Sequence, residues 1–252
     1  MAVTNAQRRR VRELHHRKGR RSYSAFLAEG LVNVGEALAA GALVREVYAT
    51  GPALVSLGPA LAATAARVYE VGDAELARLS TQRNPHGAVA VVTARAYGPG
   101  DLARAARVLH LDGVADPGNV GTLVRTADWF GCGAVSAGPG TADWHNPKVV
   151  AAARGSLFRL PHVSLAAGGL AAAFAGRDVV VADLAGASAG AFAWPARGVL
   201  AIGSESHGPG PELRGLSPTP VTLPRAGTSG AESLNAAVAG GILLAAWSGA
   251  LR

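Results

Sequence analysis

One cysteine, Cys132, stands in the 252-residue chain. An intrachain disulfide is therefore excluded, and a reducing compartment such as the cytoplasm is the expected setting. Charged residues reach only 16% and aromatics 5%, and the only lysines are Lys18 and Lys148. No cluster of His and Cys has the spacing of metal ligands, so no metal site is read. The Gly-Lys-Ser/Thr ending of a phosphate-binding loop is missing, and no Gly-x-Gly-x-x-Gly follows the first strand of the C-terminal part. No internal repeat or low-complexity block stands out beyond an Ala/Gly bias. Hydrophobic residues at 49% supply a sizeable core, and the length suits one large domain or two ordinary ones.

The formal charge of +7 has an uneven origin. Eight basic residues (Arg8, Arg9, Arg10, Arg12, Arg17, Lys18, Arg20 and Arg21) face one acid, Glu13, between positions 8 and 21, and the rest of the chain is neutral. Such density is the electrostatic footprint expected for phosphates, although a solubilising tail has the same composition. No apolar run follows it, so it does not read as a secretory signal. At the other end, Ser233–Leu251 carries no formal charge over nearly the length of a membrane span. Its Ser233, Asn235, Gly240, Gly241, Ser248 and Gly249 weaken transfer into lipid. The stretch reads instead as a helix buried against protein, part of it in a subunit interface, in a protein without a membrane anchor.

Periodicity predicts a helix in the basic segment, from the spacing of Val11, Leu14 and His15, and a second over Glu29–Ala40 ending at Gly41. Strands are expected at Val44–Ala49, Arg67–Val71 and Gly87–Thr93, with helices over Ala53–Ala65 and from an Asp73 N-cap to Leu79. The turn-rich Ala96–Asp101 marks a linker. Residues 1–96 then form one domain, 97–104 a linker and 105–252 a second domain. In the latter, apolar strands at Val108–Leu111, Ala134–Ala137, Val179–Asp183, Val199–Ile202 and Val221–Leu223 alternate with helices at Val120–Phe130, Pro147–Ala153, Gly169–Ala175 and Glu232–Trp247. That pattern predicts an α/β fold with a mostly parallel sheet covered on both faces, whose ligands sit in loops after strands.

Three such loops are unusual. In Leu111–Ala127, Asn119 can cap the following helix, and Arg125 interrupts an otherwise apolar stretch. A buried arginine needs an anion, either a ligand or a structural partner such as Asp128. Leu200–Gly210 runs from an apolar strand into a Gly- and Ser-rich turn carrying Glu205, where exposed backbone N–H groups could grip a cofactor. Leu223–Asn235 leads into the uncharged helix with Ser233 and Asn235 at its entry, where each taken singly reads as a cap.

Together and in this order, the three segments resemble the signature motifs of the SpoU (TrmH-type) branch of the SPOUT methyltransferases. Asn-x-Gly-x-x-x-Arg-Thr-Ala is matched by Asn119–Ala127, Ile-Gly-x-Glu-x-x-Gly by Ile202–Gly208, and Pro…Glu-Ser-Leu-Asn by Pro224 with Glu232–Asn235. Asn146–Val150 and Leu157–Pro161 resemble the family's middle segment. More loosely, Arg12–Leu14, Arg17–Gly19, Phe26–Gly30 and Asn84–Ala90 are similar to its accessory ribosomal-protein-like RNA-binding domain, as in ribosomal-RNA ribose methylases including the thiostrepton-resistance type.

The resemblance implies a deep C-terminal trefoil knot, a homodimer and S-adenosylmethionine (SAM) as cofactor. It implies methyl transfer to an RNA ribose 2′-hydroxyl, with ribosomal RNA favoured over transfer RNA; an RNA-binding protein without activity is the reading from another class. By position, Ile202, Gly203, Ser204, Gly208, Leu223, Pro224 and Leu234 would hold the cofactor. Arg125 would act at the reacting hydroxyl, with Asn119, Glu205, Ser233 and Asn235 holding Arg125 and the ribose. Lys148 and Arg154 would join the N-terminal cations on RNA. The chain departs from the family pattern at Ala151–Gly155, where alanines replace an arginine and a serine, and at Arg225, where an apolar residue is usual.

Overall fold

A computed structural model describes residues 3–227, 230 and 232–250. The chain divides into two compact units: residues 1–96 with Asp143–Arg159, and Tyr97–Ala142 with Leu160–Arg252.

The first unit opens with α1 (Asn5–Leu14) and α2 (Arg17–Tyr23), where one helix was expected. Thr4 and Gln7 form a capping box at the start of α1. The break follows from close approach: a Cβ on Gly19 would lie 2.0 Å from the Glu13 carbonyl oxygen, so α2 folds back on α1 only with glycine there. Next come β1 (Ala25–Glu29), α3 (Leu31–Ala39), β2 (Val44–Ala49), α4 (Gly51–Ala62), β3 (Arg67–Glu70), α5 (Asp73–Leu79) and β4 (Ala88–Thr93). The sheet order is β1-β4-β2-β3, antiparallel except for β2 with β3. β1 escaped the sequence reading: its five residues are all buried, a run too short for periodicity to separate from the helix after it. Asp73 is the first residue of α5, and Gly72 takes the cap position. Val11, Leu14, Leu27, Tyr48, Leu76, Leu79 and Val91 form the core.

The second unit begins with α6 (Pro99–Arg104), a helix inside the expected linker. It continues through β5 (Arg107–Asp112), α7 (Pro117–Trp129) and β6 (Ala134–Ala137). After α8 (Pro147–Ala153), which belongs to the first unit, come β7 (His162–Ser164), α9 (Leu170–Ala173), β8 (Asp178–Ser188), β9 (Gly198–Gly203), α10 (Pro211–Gly215), β10 (Thr219–Thr222) and α11 (Ala236–Ser248). All six strands pair in parallel, in the order β10-β8-β9-β5-β6-β7, as the apolar strands predicted. α6, α9 and α10 pack on one face through Leu102, Leu170, Phe174 and Leu213. α7 and α11 pack against each other, and Gly240 lies against Leu123 and Ile202. From β5 the chain crosses to β6 on one side, and from β9 it leaves toward β10 on the other. The carboxyl ends of β5 and β9 are thus a topological switch point, where diverging loops open a crevice.

Asp143–Arg159 is fastened within the first unit. Asp143 pairs with Arg20 at 2.6 Å, His145 stacks on Phe26 with centroids 4.3 Å apart, and Arg159 pairs with Glu36. Burial alone would push the Asp143 carboxyl up; the Arg20 hydrogen bonds and charge outweigh it and hold it below the ordinary carboxylate value.

Candidate active site at the switch point

The three loops meet. Asp116, at the end of the β5 loop, caps α7 by accepting the backbone N–H of Asn119 at 2.8 Å. Asn119, expected as the cap, is instead in the first turn, and its side chain is free for another task. Its Nδ2 donates to Glu205 Oε1 at 2.7 Å, and its Oδ1 accepts from Asn235 Nδ2 at 3.1 Å. Asn235 Nδ2 also reaches Glu205 Oε1 at 3.2 Å, as does the Ala236 N–H. Asn235 Oδ1 caps α11 through the N–H groups of Ala237 (2.9 Å) and Val238 (3.2 Å). The helix expected from Glu232 therefore starts at Ala236. One carboxylate oxygen ties together segments that are 86 and 30 residues away in sequence.

The Glu205 loop is a small closed ring. Ser204 N–H donates to Gly208 O at 3.1 Å and Gly208 N–H to Ser204 O at 2.8 Å. The ring folds so tightly that a Cβ on Gly203 would lie 2.5 Å from the Gly208 carbonyl carbon. The expectation that this loop offers free N–H groups fails at Ser204 and Gly208, whose donors are occupied by each other. The Ile202 side chain is buried beside Gly240, so only its backbone could face a ligand. By contrast, no backbone group of Leu223 or Leu234 bonds to another described residue. Leu223 is half-buried and the Leu234 side chain is 48% exposed. Pro224 is exposed, and Arg225 reaches across to the Glu232 carbonyl, so this departure staples its own loop. Ser233 is exposed at the entry to α11.

Arg125 stands apart. It is exposed and forms no hydrogen bond or ion pair with another described residue, so neither the Asp128 pairing nor the expected contact with Asn119, Glu205 and Asn235 exists here. It projects from the face of α7 that also carries Trp129, itself 83% exposed.

The basic segment separates into two kinds of residue. Arg8 pairs with Glu75 at 2.5 Å and Arg10 with buried Glu46 at 2.6 Å. Arg20 is only 7% exposed and holds Asp143 and the carbonyls of Leu14 and His15, which removes it from the cations free to meet RNA. Arg9 lies 3.6 Å from Glu13, and Arg12 reaches the Arg78 carbonyl at 3.5 Å. Arg17, Lys18 and Arg21 are exposed and line a concave surface with Ser22. Lys148 and Arg154 are exposed on and after α8, Arg154 in the left-handed region at φ 49°. Two residues went unremarked in the sequence. Asp112 accepts the Gly210 N–H at 2.6 Å, and Thr141 accepts the Gly113 N–H at 3.1 Å. Neither belongs to a motif spacing, and only the register of β5 and β9 reveals the first.

Comparison with known proteins agrees with this geometry. The SpoU rRNA methylase family matches residues 106–245, and an MRM3-like substrate binding domain matches residues 5–90. The chain is 34% identical over 165 residues to the 23S rRNA (guanosine(2553)-2′-O)-methyltransferase RlmP of Bacillus subtilis, covering 64% of each. It is 38% identical over 143 residues to the 23S rRNA (adenosine(1067)-2′-O)-methyltransferase of Streptomyces laurentii, covering 54% of this chain and 52% of that one. These matches span under two thirds of the relatives' own lengths. Over nearly the full chain, the fold is similar to the AdoMet-bound rRNA methyltransferase of Sinorhizobium meliloti (TM-score 0.86, 28% identity, 100% and 97% coverage). It is equally similar to the SpoU methyltransferase AviRb of Streptomyces viridochromogenes in complex with AdoMet (TM-score 0.86, 26% identity, 98% of each). A family match over more than half the chain, on the same three segments that the Glu205 carboxylate ties together, means that this protein belongs to the SpoU rRNA methylase family.

Proposed function

We propose that this chain transfers a methyl group from SAM to the 2′-hydroxyl of a ribose in ribosomal RNA, acting in the cytoplasm as a homodimer on a trefoil-knotted fold. The observation that carries the reading is the Asn119–Glu205–Asn235 network at the switch point. The residues around it fit the cofactor: unpartnered backbone groups at Leu223 and Leu234 suit the polar edges of adenosine, and the exposed Leu234 side chain suits its ring. Gly203 lies at the mouth of the same loop cluster.

SAM supplies an electrophilic methyl group on a sulfonium. The protein has to orient the hydroxyl in line and let its proton leave. Glu205 braces the pocket. Its Oε1 is already engaged by three donors of the protein itself, which makes it a brace for the loops rather than a group turned toward the hydroxyl. A guanidinium is a donor and a poor base, so Arg125 orients the hydroxyl and stabilises its developing charge, while the proton passes to an RNA phosphate or water. Ser233 and Asn235 flank the ribose. Residues 1–96 together with Asp143–Arg159, which carries Lys148 and Arg154, hold the RNA, and the second unit carries out the transfer. The homodimer is supported by exposed Val238 and Ile242, one turn apart on α11, and by exposed Trp129 on α7, the helix that packs against α11; a second copy covering Trp129 would also cover Arg125, one turn away on the same face of α7.

The test is transfer of labelled methyl from SAM to ribosomal RNA by the Arg125→Ala variant. Because Arg125 has no partner to lose among the described residues, the thermal midpoint and SAM affinity should stay within a few degrees and a few-fold, while transfer disappears. Full activity would overturn the mechanism.

A further inference from the structure

β5 and β9 end on the same rung. Asp112, the last residue of β5, pairs in register with Gly203, the last residue of β9. The Glu205 loop leaves the sheet at Gly203, closes its ring at Ser204 and Gly208, and returns at Gly210. There the Gly210 N–H donates to Asp112 Oδ2 at 2.6 Å, a short hydrogen bond. The loop therefore begins beside the Asp112 backbone and ends on the Asp112 side chain. No other hydrogen bond among the described residues ties the Pro209 carbonyl or the Gly210 N–H to the sheet. Among the described residues, Glu205 is the only one that bonds the loop to Asn119 and Asn235.

We infer that Asp112 is a positioning residue, which fixes the returning end of the loop so that Glu205 and Gly203 are already in place before cofactor or RNA arrives. Holding the loop in one conformation removes an ordering cost from binding, so loss of the tie should weaken SAM binding without any lost contact to SAM. The ring's two hydrogen bonds run between Ser204 and Gly208 and neither reaches the sheet, and Gly203, the residue before the ring, must be glycine because a Cβ there would lie 2.5 Å from the Gly208 carbonyl carbon. The consequence for SAM rests on the methyl-transfer reading; the tie to the loop does not.

The experiment compares Asp112→Ala, Asp112→Asn and Gly210→Pro in the full chain. Asparagine keeps a side-chain oxygen that can accept from Gly210. Proline removes the donor at a residue whose φ of −72° it can adopt, and so breaks the same bond from the other side should Asp112→Ala not fold. Amide hydrogen exchange on the free protein should show residues 204–210 exchanging at least tenfold faster in Asp112→Ala and Gly210→Pro, with α11 and the central strands unchanged. SAM affinity by calorimetry should fall about tenfold in both. Asp112→Asn should return both readouts to within about threefold of the wild type. Unchanged exchange in Asp112→Ala or Gly210→Pro would overturn the inference, as would equal impairment of Asp112→Asn and Asp112→Ala. Failure of the wild type to bind SAM would instead count against the proposed function, leaving the exchange result to decide the role of Asp112.

Discussion

At the scale of single residues, the site is held by one oxygen atom. Glu205 Oε1 accepts from Asn119, Asn235 and the Ala236 N–H, so truncating Glu205 leaves three donors unmatched at once. Because Glu205 and Asn235 are exposed and water can take the place of the lost oxygen, Glu205→Ala is expected to cost only about 0.5–1.5 kcal/mol of stability but roughly 100-fold in methyl transfer, measured by thermal melts and initial rates; wild-type rates would show that the network is structural only. Motif order in the sequence singles out Asn119, Arg125, Glu205, Ser233 and Asn235, and the structure brings Asn119, Glu205 and Asn235 into one network. Their division of labour was not. A side chain such as Asn119 reads as a helix cap from local spacing, yet Asp116 three residues earlier takes that role, and nothing local says which wins. Arg125 illustrates the reverse. An arginine in an apolar stretch suggests a buried ion pair, whereas the helix turns it outward.

At the scale of elements, the basic segment is two helices with different duties. Arg8 and Arg10 of α1 neutralise Glu75 and the buried Glu46, while Arg17, Lys18 and Arg21 of α2 remain free. Replacing those three by alanine should lower the slope of log affinity against log salt for RNA by about 2–3, at roughly 0.7–0.9 per phosphate lost; an unchanged slope would remove α2 from the RNA surface. Charge density alone could not have divided the cluster, because Glu46 and Asp143 lie 36 and 123 residues from their arginine partners. β5 carries a second consequence. His110 is wholly buried between Ser136 and Phe174, and burial pushes its imidazole down to about 4 against the pull of Asp112 and Glu212. The folded chain keeps it neutral where the unfolded chain takes a proton below its ordinary value of about 6.5. Its contribution is whole above that pH and is lost as pH falls toward 4, by up to roughly 3 kcal/mol at about 1.4 kcal/mol per unit. His110→Leu should accordingly flatten the fall in thermal midpoint between pH 6.5 and 4.5, and an unchanged pH profile would contradict this.

At the scale of the whole molecule, the parallel sheet follows from continuous apolar strands alternating with helices, and the site follows from where its strand order reverses. Both were within reach of pattern reading. The assignment of Asp143–Arg159 to the first unit was not, since it depends on one arginine, two rings stacked on Phe26 and one surface ion pair contributed from distant sequence. β1 and α6 were missed for a simpler reason, being too short to show a period. What unites the scales is the claim that the switch-point pocket directs a methyl group to an RNA ribose. A ribose methylated at its 2′-oxygen cannot attack its own phosphodiester, so the modified position resists alkaline hydrolysis. The direct measurement is to incubate the protein with SAM and separated ribosomal and transfer RNAs, then map alkali-resistant linkages. The account predicts one new resistant linkage in ribosomal RNA, absent with Arg125→Ala; a methyl group on a base, or a resistant linkage in transfer RNA alone, would contradict it.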